Sequence, residues 1–174
     1  MTRRILALSI LSLGGLGLPA QAANLDAIGS LGQNDFRLLS EDLGAALSYK
    51  PLTPAEPLGL IGFDLGIEVS ATNLENPAIF DIAATGDAPG TLYLPKLHAH
   101  MGLPFGFDIG ASYAAVPDSN IKAWGAEVRY AILKGGTAAP ALAVRASYSA
   151  LDGVDELKLT TTGLDVSISK GFAM

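Results

Sequence analysis

The chain contains no cysteine in its 174 residues. That excludes disulfide staples, thiol nucleophiles and cysteine-ligated metal, so stability must come from backbone pairing and apolar burial. Histidine occurs only twice, and charged residues make up 16% of the chain, with 17 acidic against 11 basic. An acidic balance of this kind argues against nucleic acid as a partner, because such partners require basic surfaces. Beyond residue 18 there is no apolar run approaching the roughly 18 residues that a membrane-crossing helix needs.

The amino terminus has a distinct organisation. Arg3 and Arg4 precede an apolar run over residues 5–18, followed by Pro19 and the small-residue pattern Ala20-Gln21-Ala22. These features predict a secretory signal peptide over residues 1–22, cleaved after Ala22. Loss of Arg3 and Arg4 leaves nine basic and seventeen acidic residues, a net charge of −8. The mature length suits one domain. It divides into an N-terminal segment, 23–42, expected to be a short helix, plug or extra strand, and a β-domain over 43–174.

Hydrophobic residues account for 49% of the chain and mean hydropathy is +0.37. Such values suit a membrane protein, yet the mature chain offers no helix of spanning length. A segment in lipid must satisfy its own backbone hydrogen bonds, which leaves the closed β-barrel.

Alternation supports that choice. Between residues 59 and 73, Ile61, Phe63, Leu65, Ile67, Val69 and Ala71 alternate with Gly62, Asp64, Gly66, Glu68, Ser70 and Thr72, the period of a strand with one apolar face. At this length the stretch exceeds the 5 to 6 residues of an average globular strand and matches the roughly 9 to 11 of a tilted membrane strand. Similar strands are predicted around residues 93–103, 107–114, 124–132, 142–149 and 163–169, with a weaker first strand over 43–50. Short turn-rich connections join most of them, as in an antiparallel meander. The longer 74–90 connection is expected on the outer side of the membrane.

Hairpin parity predicts contacts. With Asp118 and Ser119 as a two-residue loop, Asp108 falls opposite Arg129 on the polar face. Arg145 then lies beside Arg129 and within diagonal reach of Glu127, while His100 approaches Asp108. Together with Lys96 and His98, these residues predict a mixed-charge network inside a small barrel, which about eight strands would make just wide enough to be filled by side chains. Tyr49, Tyr93, Tyr113, Trp124, Tyr130 and Tyr148 fall on the apolar faces, as interfacial girdles would.

These residues resemble outer-membrane β-barrel proteins of Gram-negative bacteria, and more narrowly an uncharacterised family among them. The likeness lies in residues 57–66, 102–113, 125–132 and 167–172, with Gly-Leu-Pro at 102–104 and Ser-Lys-Gly-Phe at 169–172. It implies an all-β, antiparallel up-and-down transmembrane barrel contacting outer-membrane lipid and the barrel-assembly machinery, which reads a C-terminal aromatic strand. Here Phe172 lies two residues short of the end and Lys170 interrupts the alternation. About seven strands are readable, whereas single-chain bacterial barrels have an even number.

Chemistry is sparsely encoded. His98 and His100 share a strand face and supply two potential metal ligands or a base, but spacing specifies no third ligand. The expectation is therefore no metal, no cofactor and no enzyme. Asp152, Asp155 and Glu156 lack the spacing of an EF-hand loop. The functional expectation is a structural or passive small-solute permeability role. Two rivals are a soluble periplasmic β-barrel or sandwich holding a small apolar ligand, and a lipid-modifying hydrolase pairing a histidine with Ser112 or Ser147.

Overall fold

The computed structural model describes residues 24–50, 53–84, 90–136 and 139–170. The leader at 1–22 and the C-terminal Phe172 and Met174 lie outside these residues. Six strands form one sheet: β1 (Phe63–Asn73), β2 (Thr91–Gly102), β3 (Phe107–Ala115), β4 (Lys122–Lys134), β5 (Ala141–Asp152) and β6 (Thr160–Ser169). They pair in chain order, each antiparallel to the next. The sheet curls into a half-barrel.

The all-β meander is thus present, with six strands among the described residues in place of the seven or eight expected. The predicted strand over 43–50 is the one lost. Its first five residues, 43–47, continue α1 (Gln33–Leu47), which buries Leu39, Leu43, Ala46 and Leu47. That spacing is the i, i+4, i+7, i+8 stripe of a helix, and the apparent alternation was too short to separate the two periods. At the C-terminus of α1 the Lys50 ammonium donates to the Ala45 and Ala46 carbonyls at 3.2 and 3.3 Å, satisfying acceptors that a helix end leaves open. Burial holds its pKa below the usual lysine value.

The apolar stripe of α1 closes one end of the sheet. It packs with Leu25, Ile28, Leu92, Ile121 and Val154, and with Phe80 from α2 (Pro77–Ala84), in one buried cluster. The buried Asp42 carboxylate accepts from the Glu75 and Asn76 amides at 3.2 and 2.9 Å. This ties α1 to the start of α2, where unpaired amides and the helix dipole favour a carboxylate. The long 74–90 connection therefore carries a helix of its own.

Beyond α1, residues 49–50 and 53–58 lie along the concave face towards the other end of the sheet. The Tyr49 hydroxyl meets His100 Nε2 at 3.1 Å, the Ala55 amide donates to Ser169 Oγ at 3.0 Å and the Leu58 amide to Asp108 Oδ1 at 3.1 Å. A turn at residues 59–62 then leads into β1, where Gly102 donates to the Gly62 carbonyl at 2.7 Å. A Cβ at Gly102 would lie 1.9 Å from the Gly59 carbonyl oxygen, so only glycine admits this approach. The segment thus fills the middle of the concavity, and Tyr49 points inward instead of joining the outer aromatic face.

The convex face is apolar on every strand. Phe63, Ile67 and Leu164 are 81, 77 and 82% exposed. Aromatic contacts recur near both ends: Phe107 lies 4.7 Å from Tyr130, and Trp124 lies 5.3 Å from Tyr148. β1 and β6 each have one sheet neighbour, so each presents an edge of unpaired backbone groups among the described residues.

Candidate polar site on the concave face

Strand alternation places every residue of the predicted network on the concave side. Asp108 and Arg129 stand opposite one another in the β3–β4 register, the pairing counted from the Asp118-Ser119 turn. Asp108 Oδ2 accepts from Arg129 Nε and Nη2 at 3.1 and 2.9 Å, and both residues are buried. Arg129 Nη1 also donates to Thr53 Oγ1 at 2.7 Å and to the Pro54 carbonyl at 2.6 Å. A buried guanidinium needs such additional acceptors to offset its desolvation, so this ion pair fastens the threaded segment to the sheet.

Arg145 lies opposite Arg129, a like-charge neighbour requiring compensation. Arg145 Nη1 donates to Glu127 Oε2 at 3.2 Å and Nη2 donates to Asp165 Oδ1 at 2.6 Å. Asp165 is a partner that the sequence reading did not select. Lys96 pairs with Glu68, another residue left out of that set, and both Lys96 and Arg145 lie over the Tyr49 ring at 4.9 and 5.1 Å from its centroid. These separations suit cation–π attraction.

His100 departs from expectation. It stands opposite Gly110 in β3 and opposite Asp64 in β1, so its charge contacts run to Asp64 and Glu127 in place of Asp108. His100 Nδ1 is 3.6 Å from Asp64 Oδ2, and Nε2 is 3.2 Å from Glu127 Oε1. His98 Nε2 is 3.3 Å from the same Asp64 oxygen, and its Nδ1 is 3.7 Å from Glu68 Oε2. Asp64 is a third residue, with Asp165 and Glu68, that sequence reasoning missed. Its alternation was legible, but the long β1–β2 connection prevents counting its register across to the histidines.

Little empty space remains in the middle of the concavity. Beside Tyr49, Lys96 and Ser112 lies a void of about 20 Å³, and beside Tyr49, His98 and Arg145 one of about 10 Å³. Each is close to the minimum for one water molecule. Towards the end where β1 begins, an open cleft of about 560 Å³ is lined by Thr53, Pro54, Asp64, His98 and Arg129. The middle of the concavity is therefore packed, while the Asp64–His98 side is accessible. Compared with known proteins, the chain matches no family model, no curated protein and no solved structure.

Proposed function

We propose that the chain is exported through its leader and forms part of the wall of an outer-membrane β-barrel, with a structural role. One observation carries this: a convex apolar face running over all six strands, opposed to a concave face of buried, paired charges. Water-facing surfaces of soluble monomers rarely hold apolar patches beyond a few hundred Å², whereas membrane barrels present an apolar band between aromatic girdles. Along β3, Phe107 and Tyr113 are six residues apart, about 20 Å along a strand. Both aromatics lie on the apolar face, one near each end of the strand, as girdle residues do.

The filled concavity favours a wall over a wide pore. It also disfavours the soluble alternative, which would require the convex apolar face to pack inward. Lipid tolerates no open sheet edge, so β1 and β6 must both be paired in the membrane. Six strands are fewer than the eight or so that enclose side chains alone, and this concavity already holds Tyr49, Thr53 and Pro54 from the threaded segment. Its closure therefore calls on strands beyond β1–β6. Recovery of the folded chain in the outer-membrane fraction, with mobility that changes on boiling, is the deciding test.

A further inference from the structure

We propose that Asp64, His98 and His100 form a binding site for a divalent first-row transition-metal ion. The site rests on the β1–β2 register and does not depend on the membrane assignment. Asp64 faces His100 directly across the two strands, and His98 follows two positions away on the same face. Asp64 Oδ2 is 3.3 Å from His98 Nε2 and 3.6 Å from His100 Nδ1, and the three donor atoms lie within 4.8 Å of one another. Bonds of roughly 2.0–2.2 Å in a tetrahedral arrangement place ligand atoms about 3.4 Å apart. The two Asp64–histidine separations are close to that spacing, and the histidine–histidine pair lies within 4.8 Å.

The hydrogen bonding points the same way. The His100 side chain is only 3% exposed, and its Nδ1 has no hydrogen-bond partner. Nε2 is engaged elsewhere, in a hydrogen bond with Tyr49 Oη at 3.1 Å and an ion-pair contact with Glu127 Oε1 at 3.2 Å. A neutral imidazole protonated at Nε2 presents the Nδ1 lone pair towards Asp64. His98 is turned alike, with Nε2 3.3 Å from Asp64 Oδ2 and Nδ1 facing Glu68 Oε2 at a longer 3.7 Å. Metal-bound histidines characteristically direct their second nitrogen to such an outer carboxylate, which fixes the tautomer and orients the ring.

Backbone and charge support the same site. Gly66 is the cross-strand neighbour of His98, and Gly110 that of His100. A Cβ at Gly66 would come within 2.5 Å of His98 Nε2, and one at Gly110 within 2.2 Å of His100 Cδ2. These glycines provide the seats for the two rings. Among the described residues, the concave strand carboxylates Asp64, Glu68, Asp108, Glu127 and Asp165 outnumber the strand cations Lys96, Arg129 and Arg145, and Lys50 and Glu56 of the threaded segment add one charge of each sign. A divalent cation would offset the excess negative charge. Two imidazole nitrogens with one carboxylate oxygen suit Zn²⁺, Ni²⁺ or Cu²⁺, whereas Ca²⁺ and Mg²⁺ prefer oxygen ligands throughout. Three protein ligands leave coordination for solvent, reached through the cleft that Asp64 and His98 line.

The test is titration of the untagged, chelator-treated full-length chain in detergent with Zn²⁺ by calorimetry and with Co²⁺ by visible absorption. We expect one ion per chain at micromolar affinity, weakened at least tenfold by Asp64→Asn or His98→Gln. Gly66→Ala keeps all three ligands and should weaken binding as well, by displacing the His98 ring. Far-UV circular dichroism checks each variant for folding. If the variants do not fold, imidazole NMR of the wild type decides: the chain has two histidines, and Zn²⁺ should shift both. Absence of binding below millimolar ion, binding indifferent to Asp64→Asn in the folded chain, or unmoved imidazole signals would each overturn the assignment.

Discussion

Asp108 and Arg129 meet across β3 and β4 through one carboxylate oxygen and two guanidinium nitrogens, at 2.9 and 3.1 Å. The pair also holds the chain that fills the concavity, because Arg129 donates to Thr53 and Pro54 while Asp108 accepts from Leu58. Removing one partner leaves a buried charge uncompensated. Asp108→Asn should therefore cost about 3–5 kcal/mol, measured by denaturant unfolding in detergent. Reversing both residues should recover only part of the loss, since the Leu58, Thr53 and Pro54 partners would then face the wrong group. Full recovery would show that the segment is not anchored here.

Tyr49 is the upper anchor of that segment. Its ring occupies the space that a side chain at Gly125 would need, with Cδ2 3.2 Å from an ideal Cβ there, and it lies beneath Lys96 and Arg145. Tyr49→Ala should destabilise the fold by about 3 kcal/mol through the lost packing. It should also expose residues 53–58 to protease, read by mass spectrometry of the cleavage products. Unchanged resistance would argue against a packed plug.

On the convex face, lipid and water predict opposite behaviour for one substitution. Val128 is central in β4 and exposed on the apolar side. In a membrane barrel Val128→Lys should cost about 2–4 kcal/mol, with a smaller penalty for Ile132→Lys nearer the strand end. Folding titrations into vesicles would measure both. In a water-facing sheet, Val128→Lys would be neutral and would raise solubility.

The edges of β1 and β6, unpaired among the described residues, make a further prediction. A cysteine pair at Leu65 and Val166, introduced into a chain with no native thiol, should not form an intrachain disulfide, because the proposed barrel calls on further strands between these edges. Non-reducing electrophoresis reads the outcome. A quantitative intrachain bond would mean that six strands close on themselves.

Much of the sheet was legible because each strand has one apolar face, and a period of two survives wherever lipid or solvent lies opposite a polar interior. The β3–β4 register was legible because a two-residue turn fixes parity. α1 was misread beyond residue 42: in Leu43-Gly44-Ala45-Ala46-Leu47 a helical stripe and a strand alternation share most of their apolar positions. Asp64 escaped selection because a connection containing α2 separates β1 from β2, and parity cannot be counted through a helix. Asp165 and Glu68 were visible as polar strand residues, yet their roles depend on neighbours that pairing alone brings close.

The most direct measurement of the central claim is fractionation of cells expressing the full-length chain, with gel mobility compared before and after boiling. The account predicts an outer-membrane band whose mobility shifts on heating, the behaviour of a folded barrel in detergent. A soluble periplasmic band with no shift would contradict it.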